Sequence, residues 1–309
     1  MTPGLLPGAG GGAAGPDGGD RVSSDLTAVS QMLFVPLYAL SLESRGEDPI
    51  VVDERAVRIT AELDRTFRAR PEPFYRRLAE GRLRPLMVRT LALRIRRFDR
   101  YVAAFLAERP DGVVVNLGCG LDTRRDRVDN GTMRWVDVDL PEVIALRRRF
   151  FEESDRLRFI AGSVLDPDWR DRLPDAPRDA FLFVAEGLFM YLPCEDVRKL
   201  VAELHRGWPG SRLVAEVAGV RIVRMMRTRL GRGKLRRELR LSEDVVYRCG
   251  IEDSRELEGW SAGIRVLDEW SWFDDADAPV GWLRFLGRWE IFRRSQWLVR
   301  LALGDEEAE

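Results

Sequence analysis

Five short hydrophobic runs recur along the middle of the chain: VVVNL (113–117), RWVDVD (134–139), RFIAGS (158–163), AFLFVAEG (180–187) and RLVAEVAG (212–219). Runs of this length, bounded by turn residues, read as strands buried on both faces. PEVIALRRRFFEES follows the second run, DVRKLVAELHRG (196–207) separates the last two, and both have helical character. Strand alternating with helix at this interval implies a mostly parallel sheet with helices on both sides, a doubly wound, Rossmann-like α/β fold. Two later segments, IRVLDEW (264–270) and WEIFRRSQWLVRL (289–301), would complete the sheet as a terminal, partly antiparallel pair.

Upstream of Asp111 the pattern is helical. VSQMLFVPLYALSLES and VRTLALRIRRFDRYVAAFL carry apolar residues at three-and-four spacing, and Pro36, Pro71, Pro73 and Pro85 divide the region into several helices. Residues 23–110 are therefore expected to form a helical cap, and residues 111–309 the main domain. Residues 1–22, rich in Gly, Ala and Pro, lack the basic start and continuous apolar stretch of a secretory signal and are expected to be a disordered tail.

Composition removes several function classes. A formal net charge of −1 argues against a dedicated nucleic-acid binder, and no run approaches the length of a membrane span. His205 is the only histidine, so a multi-histidine metal site is impossible and no metal is expected. Cys119, Cys194 and Cys249 are odd in number and have no metal-ligand spacing, which fits a reducing, cytoplasmic setting and argues against a disulfide framework.

Polar and glycine residues gather at the predicted strand ends. The first run leads into Asn116-Leu117-Gly118-Cys119-Gly120-Leu121-Asp122, where glycines would let backbone approach a ligand closely. The third glycine of the dinucleotide fingerprint is replaced by Thr123. Asp137 and Asp139 close the second run about twenty residues further on, where a carboxylate can accept both hydroxyls of a ribose. That placement fits NAD as well as S-adenosylmethionine. Ser163 and Asp166 follow the third run and Glu186-Gly187 the fourth. Four successive strand ends of this kind favour a ligand site.

Taken in order, NLGCGLDTRRDR, WVDVDLPEVIALRR, SVLDPDW and VAEGLFMYL resemble the leucine carboxyl methyltransferase family, and within it the bacterial natural-product O-methyltransferases of aromatic polyketide biosynthesis. The resemblance spans roughly residues 25–300. It implies a class I methyltransferase fold with S-adenosylmethionine as cofactor. It further implies that Gly118 and Gly120 pack against the amino-acid portion of the cofactor, that Asp122 is a further cofactor-binding residue, and that Asp139 holds the ribose. Ser163 and Val164 would flank the adenine, Glu186 would reach the methionine ammonium, and Arg94 would pair with the methionine carboxylate through two parallel hydrogen bonds. Cys119 stands where many relatives have Ala, and Ser163 where others have an acidic residue.

Methyl transfer to oxygen depends chiefly on alignment, and a carboxylate acceptor, already ionised at neutral pH, needs no base. Tyr191, behind the fourth run, is a candidate acceptor-pocket or catalytic residue. RIVRMMRTRLGRGKLRRELR (221–240) lies within an expected substrate lid at about 220–255, where Arg232, Arg236 and Arg237 could attract an anionic acceptor; a solvated helix face is the alternative. Six tryptophans, Trp260, Trp270, Trp272, Trp282, Trp289 and Trp297, crowd the last third and would mostly pack the core. The function expected is O-methylation of a carboxylate or phenol on a small acidic or aromatic acceptor. Alternatives are methylation of a peptide or protein C-terminus and a non-catalytic S-adenosylmethionine-binding scaffold; the acceptor could also be peptide- or carrier-bound.

Overall fold

The computed structural model describes residues 31–241, 245–278 and 293–304, except the side chains of residues 229, 230, 232, 234 and 235. The expected tail, Trp282, Trp289 and the side chain of Arg232 lie outside the described residues. Seven strands form one sheet in the order β3-β2-β1-β4-β5-β7-β6: β1 (Val113–Leu117), β2 (Arg134–Asp139), β3 (Leu157–Ala161), β4 (Phe181–Ala185), β5 (Ser211–Ala218), β6 (Ile264–Trp270) and β7 (Gln296–Leu303). Strands β1 to β5 pair in parallel. Strand β7 runs antiparallel to both neighbours, entering between β5 and β6 instead of lying at the sheet's edge.

Period-two alternation divides the strand residues between two cores. Val115, Leu117, Phe183, Ala185, Leu213 and Ala215 face helix α7 (Cys194–Gly207), which contributes Val197, Leu200, Val201 and Leu204. Val114, Leu182, Val184 and Val214 face the other way, toward the aromatic side chains of the cap. The cap consists of α1 (Phe34–Ser44), α2 (Glu54–Ala69), α3 (Pro73–Ala79) and α4 (Pro85–Glu108). Pro73 and Pro85 open their helices, where a missing N–H costs nothing. Pro36 does not break a helix as expected; it sits in the first turn of α1, where the ring is tolerated. Helix α4 lays Phe98, Tyr101, Val102 and Phe105 on the sheet.

Shorter connections complete the layer: α5 (Arg124–Val128) after β1, and α6 (Pro141–Arg147) after β2. Beyond β5 the arginine-rich stretch forms α8 (Val220–Arg227) and α9 (Arg229–Leu239). The segment that returns from them hydrogen-bonds to the turn after β4: the amides of Arg248 and Cys249 donate to the carbonyl of Met190 at 2.7 and 3.3 Å.

One expectation is overturned here. Cys194 and Cys249 are joined in a disulfide, and only buried Cys119 is free among the described residues. The pair is 55 residues apart in sequence and meets because the start of α7 and the returning segment share the Met190 turn. Closing a loop of that length constrains the unfolded chain. Cys194→Ser is expected to lower stability by about 3 kcal/mol, and reductant should lower the thermal midpoint of the unmodified protein similarly. A midpoint indifferent to both would count against the crosslink.

Candidate active site

Parallel register lines up the ends of the central strands. Leu117 is level with Val138, Asn116 with Val184, and Ala185 with Ala215. One step further along each strand, Asp139, Gly118, Glu186 and Glu216 form a row across β2, β1, β4 and β5, all on the cap-facing side. Neighbouring strands lie about 4.8 Å apart, so the row sets three carboxylates around one glycine at the carboxyl ends of the strands.

Gly118 and Gly120 have φ of 66° and 49°, a region that favours glycine. A Cβ on Gly118 would come within 2.9 Å of the Leu188 side chain. The turn is fixed by the Gly118 amide, which donates to the Val138 carbonyl at 2.8 Å. Asp139 accepts from the amides of Gly120 and Leu140, both at 2.7 Å, one on each carboxylate oxygen. Each oxygen keeps a lone pair for a further donor. Burial pushes its carboxyl up, and the two amides partly offset this.

Asp137, two residues earlier, serves the core. It is fully buried against Arg147, whose Nε donates at 2.8 Å, and it accepts from Trp135 and Asn116 as well. Arg147 also donates to the carbonyls of Gly120 and Asp122, bracing the glycine turn from beneath.

Arg94 projects from α4 between Glu186 and Glu216. Its Nε donates to Glu186 at 2.9 Å, and its Nη1 lies 3.1 Å from both Glu216 oxygens. The adjacent arginines point elsewhere, Arg96 to Asp275 and Asp277 and Arg97 to Asp268. Glu216 also accepts from the Gly187 amide at 2.9 Å. Arg124, with no exposed side-chain surface, joins Glu186 to Asp99 at 2.8 Å and Asp122 at 2.5 Å. Arg127 continues the chain from Asp99 to Asp53, the residue that caps α2.

Electrostatics follow from this packing. Burial alone would raise the Glu186 carboxyl, but Arg94 and Arg124 hold it down at about 2. Burial raises the carboxyls of Asp122 and Glu216. Asp122 is further engaged by the Arg124 amide and by Asn116.

Ser163, at the end of β3, accepts from the Leu165 amide at 3.2 Å, forming a tight turn. The Val164 side chain is buried on the α7 side of the sheet, and its carbonyl accepts from Trp169 at 3.1 Å. Tyr191 packs edge-on against Tyr247, with ring centroids 5.4 Å apart. Burial pushes the Tyr191 phenol well above its ordinary value and Tyr247 up to about 12, so both are neutral at physiological pH. Arg236 and Arg237 are exposed on α9. His205 is hydrogen-bonded to Ser261 at 2.9 Å, at the end of α7 that leads into β5 and so at the opposite edge of the sheet.

Sequence reasoning brought Arg94, Asp139, Gly118 and Glu186 to one place, and it missed Glu216, Arg124 and Asp99. A lone carboxylate within the apolar run RLVAEVAG was the available signal for Glu216.

Comparison with known proteins bears on this arrangement. The leucine carboxyl methyltransferase family pattern matches residues 36–205. The tetracenomycin polyketide synthesis O-methyltransferase TcmP of Streptomyces glaucescens is 32% identical over 262 residues, covering 82% of this chain and 88% of TcmP. A putative S-adenosyl-L-methionine-dependent methyltransferase of Parafrankia sp. is 35% identical over 148 residues, 45% of this chain and 47% of that protein. Among solved structures, a DUF574 family protein from Streptomyces avermitilis aligns over 87% of this chain and 96% of its own, with a TM-score of 0.52 at 15% identity, a likeness of fold. With more than half its length matched by the family pattern and a relative aligned over most of both chains, this protein belongs to the leucine carboxyl methyltransferase family.

Proposed function

We propose that the protein is an S-adenosylmethionine-dependent O-methyltransferase acting on a carboxylate or phenol of a small polyketide-type molecule. The observation that carries this reading is that the register of β1, β2 and β4 sets Asp139, Gly118 and Glu186 one step beyond the aligned strand ends, side by side. The residues fit the cofactor. Asp139 has lone pairs left for the ribose hydroxyls, and Gly118 presents bare backbone where a side chain would strike Leu188. Glu186, held ionised, is matched to an ammonium group. Gly120 and Asp122 would frame the amino-acid portion, with Ser163 and the backbone of Val164, whose side chain is buried on the α7 side, beside the adenine. Arg94 can meet the methionine carboxylate only by loosening its grip on Glu186 or Glu216.

Bound S-adenosylmethionine supplies an electrophilic methyl group on a good leaving group. The protein's part is alignment and exclusion of water. A carboxylate acceptor is favoured over a phenol, because the only imidazole lies at the far edge of the sheet and the two nearby phenols are neutral. Tyr191 then serves as a wall or hydrogen-bond donor of the acceptor pocket, not as a base. Exposed Arg236 and Arg237, with Arg232, would draw an anionic acceptor toward the site. Among the described residues no helix is long and apolar enough to cross a membrane.

Calorimetry with S-adenosylmethionine and with NAD tests the cofactor. Labelled methyl transfer into a pool of aromatic acids, followed by alkaline treatment, tests the acceptor, since an ester is cleaved and an aryl ether is not. Binding of NAD alone would overturn the reading, whereas cofactor binding without turnover in any pool would favour a non-catalytic scaffold.

A further inference from the structure

Glu216 has no part in the cofactor contacts just described, yet it is the most deeply buried carboxylate of the row, with 3% of its side chain exposed. Its surroundings leave a charge imbalance. Among the described residues, Asp53, Asp99, Asp122, Glu186 and Glu216 form one connected cluster with only Arg94, Arg124 and Arg127. Within the row the imbalance falls on Glu216: Glu186 is paired with both Arg94 and Arg124, whereas the only cation paired with Glu216 among the described residues is Arg94, which it shares with Glu186. Glu216's other partner there is the neutral Gly187 amide. An incompletely paired charge in a poorly hydrated place is unfavourable until a cation arrives. Neutral Tyr191 and Tyr247 sit within electrostatic range of Glu216 and add no charge of their own.

We propose that Glu216 is a specificity-determining residue that makes the site prefer a positively charged methyl donor over its neutral demethylated product. The inference rests on the methyltransferase reading above. The transfer breaks the bond from sulfur to methyl carbon and forms one from that carbon to the acceptor oxygen, and the bonding pair stays on sulfur. A sulfonium thereby becomes an uncharged thioether. Before transfer the sulfonium completes the pairing of the row; afterwards the imbalance returns and the hold on the product weakens. Glu216 thus acts by its charge, one strand beyond Glu186, with no need to touch the reacting atoms.

Three ligands of nearly one shape separate this from a structural role: S-adenosylmethionine, S-adenosylhomocysteine, and sinefungin, in which a protonated amine replaces the sulfonium. Their affinities are to be measured by calorimetry on the intact protein and on Glu216→Gln and Glu216→Asp. Loss of one unit charge near a bound cation, in a medium of effective dielectric about 20, corresponds to about tenfold in affinity. Glu216→Gln should weaken the two cationic ligands about tenfold and S-adenosylhomocysteine by less than about twofold. Glu216→Asp should preserve the preference of the wild type. Equal losses for all three ligands would make Glu216 a purely structural residue and overturn the proposal, as would no change for any. Should Glu216→Gln fail to melt cooperatively, the wild type still decides: equal affinity for S-adenosylmethionine and S-adenosylhomocysteine sinks the proposal. A wild type that binds none of the three sinks the methyltransferase reading and the proposal with it, an outcome distinct from binding without preference.

Discussion

Arg124→Ala should destabilise the protein by about 5 kcal/mol, a large share of the stability of an ordinary domain. The guanidinium is wholly buried and touches Asp99, Asp122 and Glu186 at once. Its removal leaves three carboxylates facing one another without the charge that reconciles them, and it deletes the contact over the Phe98 ring. A methionine at the same place fills the volume without the charge, and it should be almost as damaging. Equilibrium urea unfolding measures the loss; a change under about 1 kcal/mol would show that the carboxylates can be neutralised or hydrated in place. Acid titration offers a second view. Because Glu186 is held at about 2 against its ordinary 4.5, it contributes stability that is fully present above about 4.5 and is lost as pH falls toward 2. Without Arg124 its carboxyl should titrate nearer the ordinary range, narrowing that window.

Asp139→Ala should weaken S-adenosylmethionine binding about a hundredfold while leaving the thermal midpoint of the unliganded protein close to that of wild type. Two hydrogen bonds from ribose to a carboxylate are lost, and the Gly120 amide is released from its 2.7 Å anchor. Since burial raises this carboxyl, affinity should also begin to fall, on acidification, at a higher pH than for an exposed aspartate. Calorimetry across that range checks both points, and an affinity unchanged in a folded variant would remove Asp139 from the site.

The central strands were legible because parallel strands are buried on both faces. VVVNL and RWVDVD appear at their expected bounds, and the other three runs fall within two residues of theirs. Distinguishing Asp139 from Asp137 was not possible from the strand alone. Their separation depends on Arg147, ten residues beyond Asp137, which turns one carboxylate into a core element and leaves the other at the rim. The position of β7 was illegible for a related reason: nothing local in QWLVRLAL states that it enters between β5 and β6. The cysteine pair was missed because spacing rules see sequence, whereas the meeting of Cys194 with Cys249 is set by a turn around Met190. Glu216 was passed over because one charged residue inside an apolar strand reads as noise until its partner on the cap, Arg94, is in place.

The level arrangement of the strand ends also constrains what mutation can reach. A single residue inserted between Ser211 and Ala215 would turn Glu216 away from α4, into the layer packed on α7, and would turn its apolar neighbours toward the cap in exchange. The same insertion in the solvent-facing turn around Asn130 would disturb no strand partner. Length variation should thus accumulate at the periphery of the chain, while the count of residues along β4 and β5 behaves as a fixed ruler.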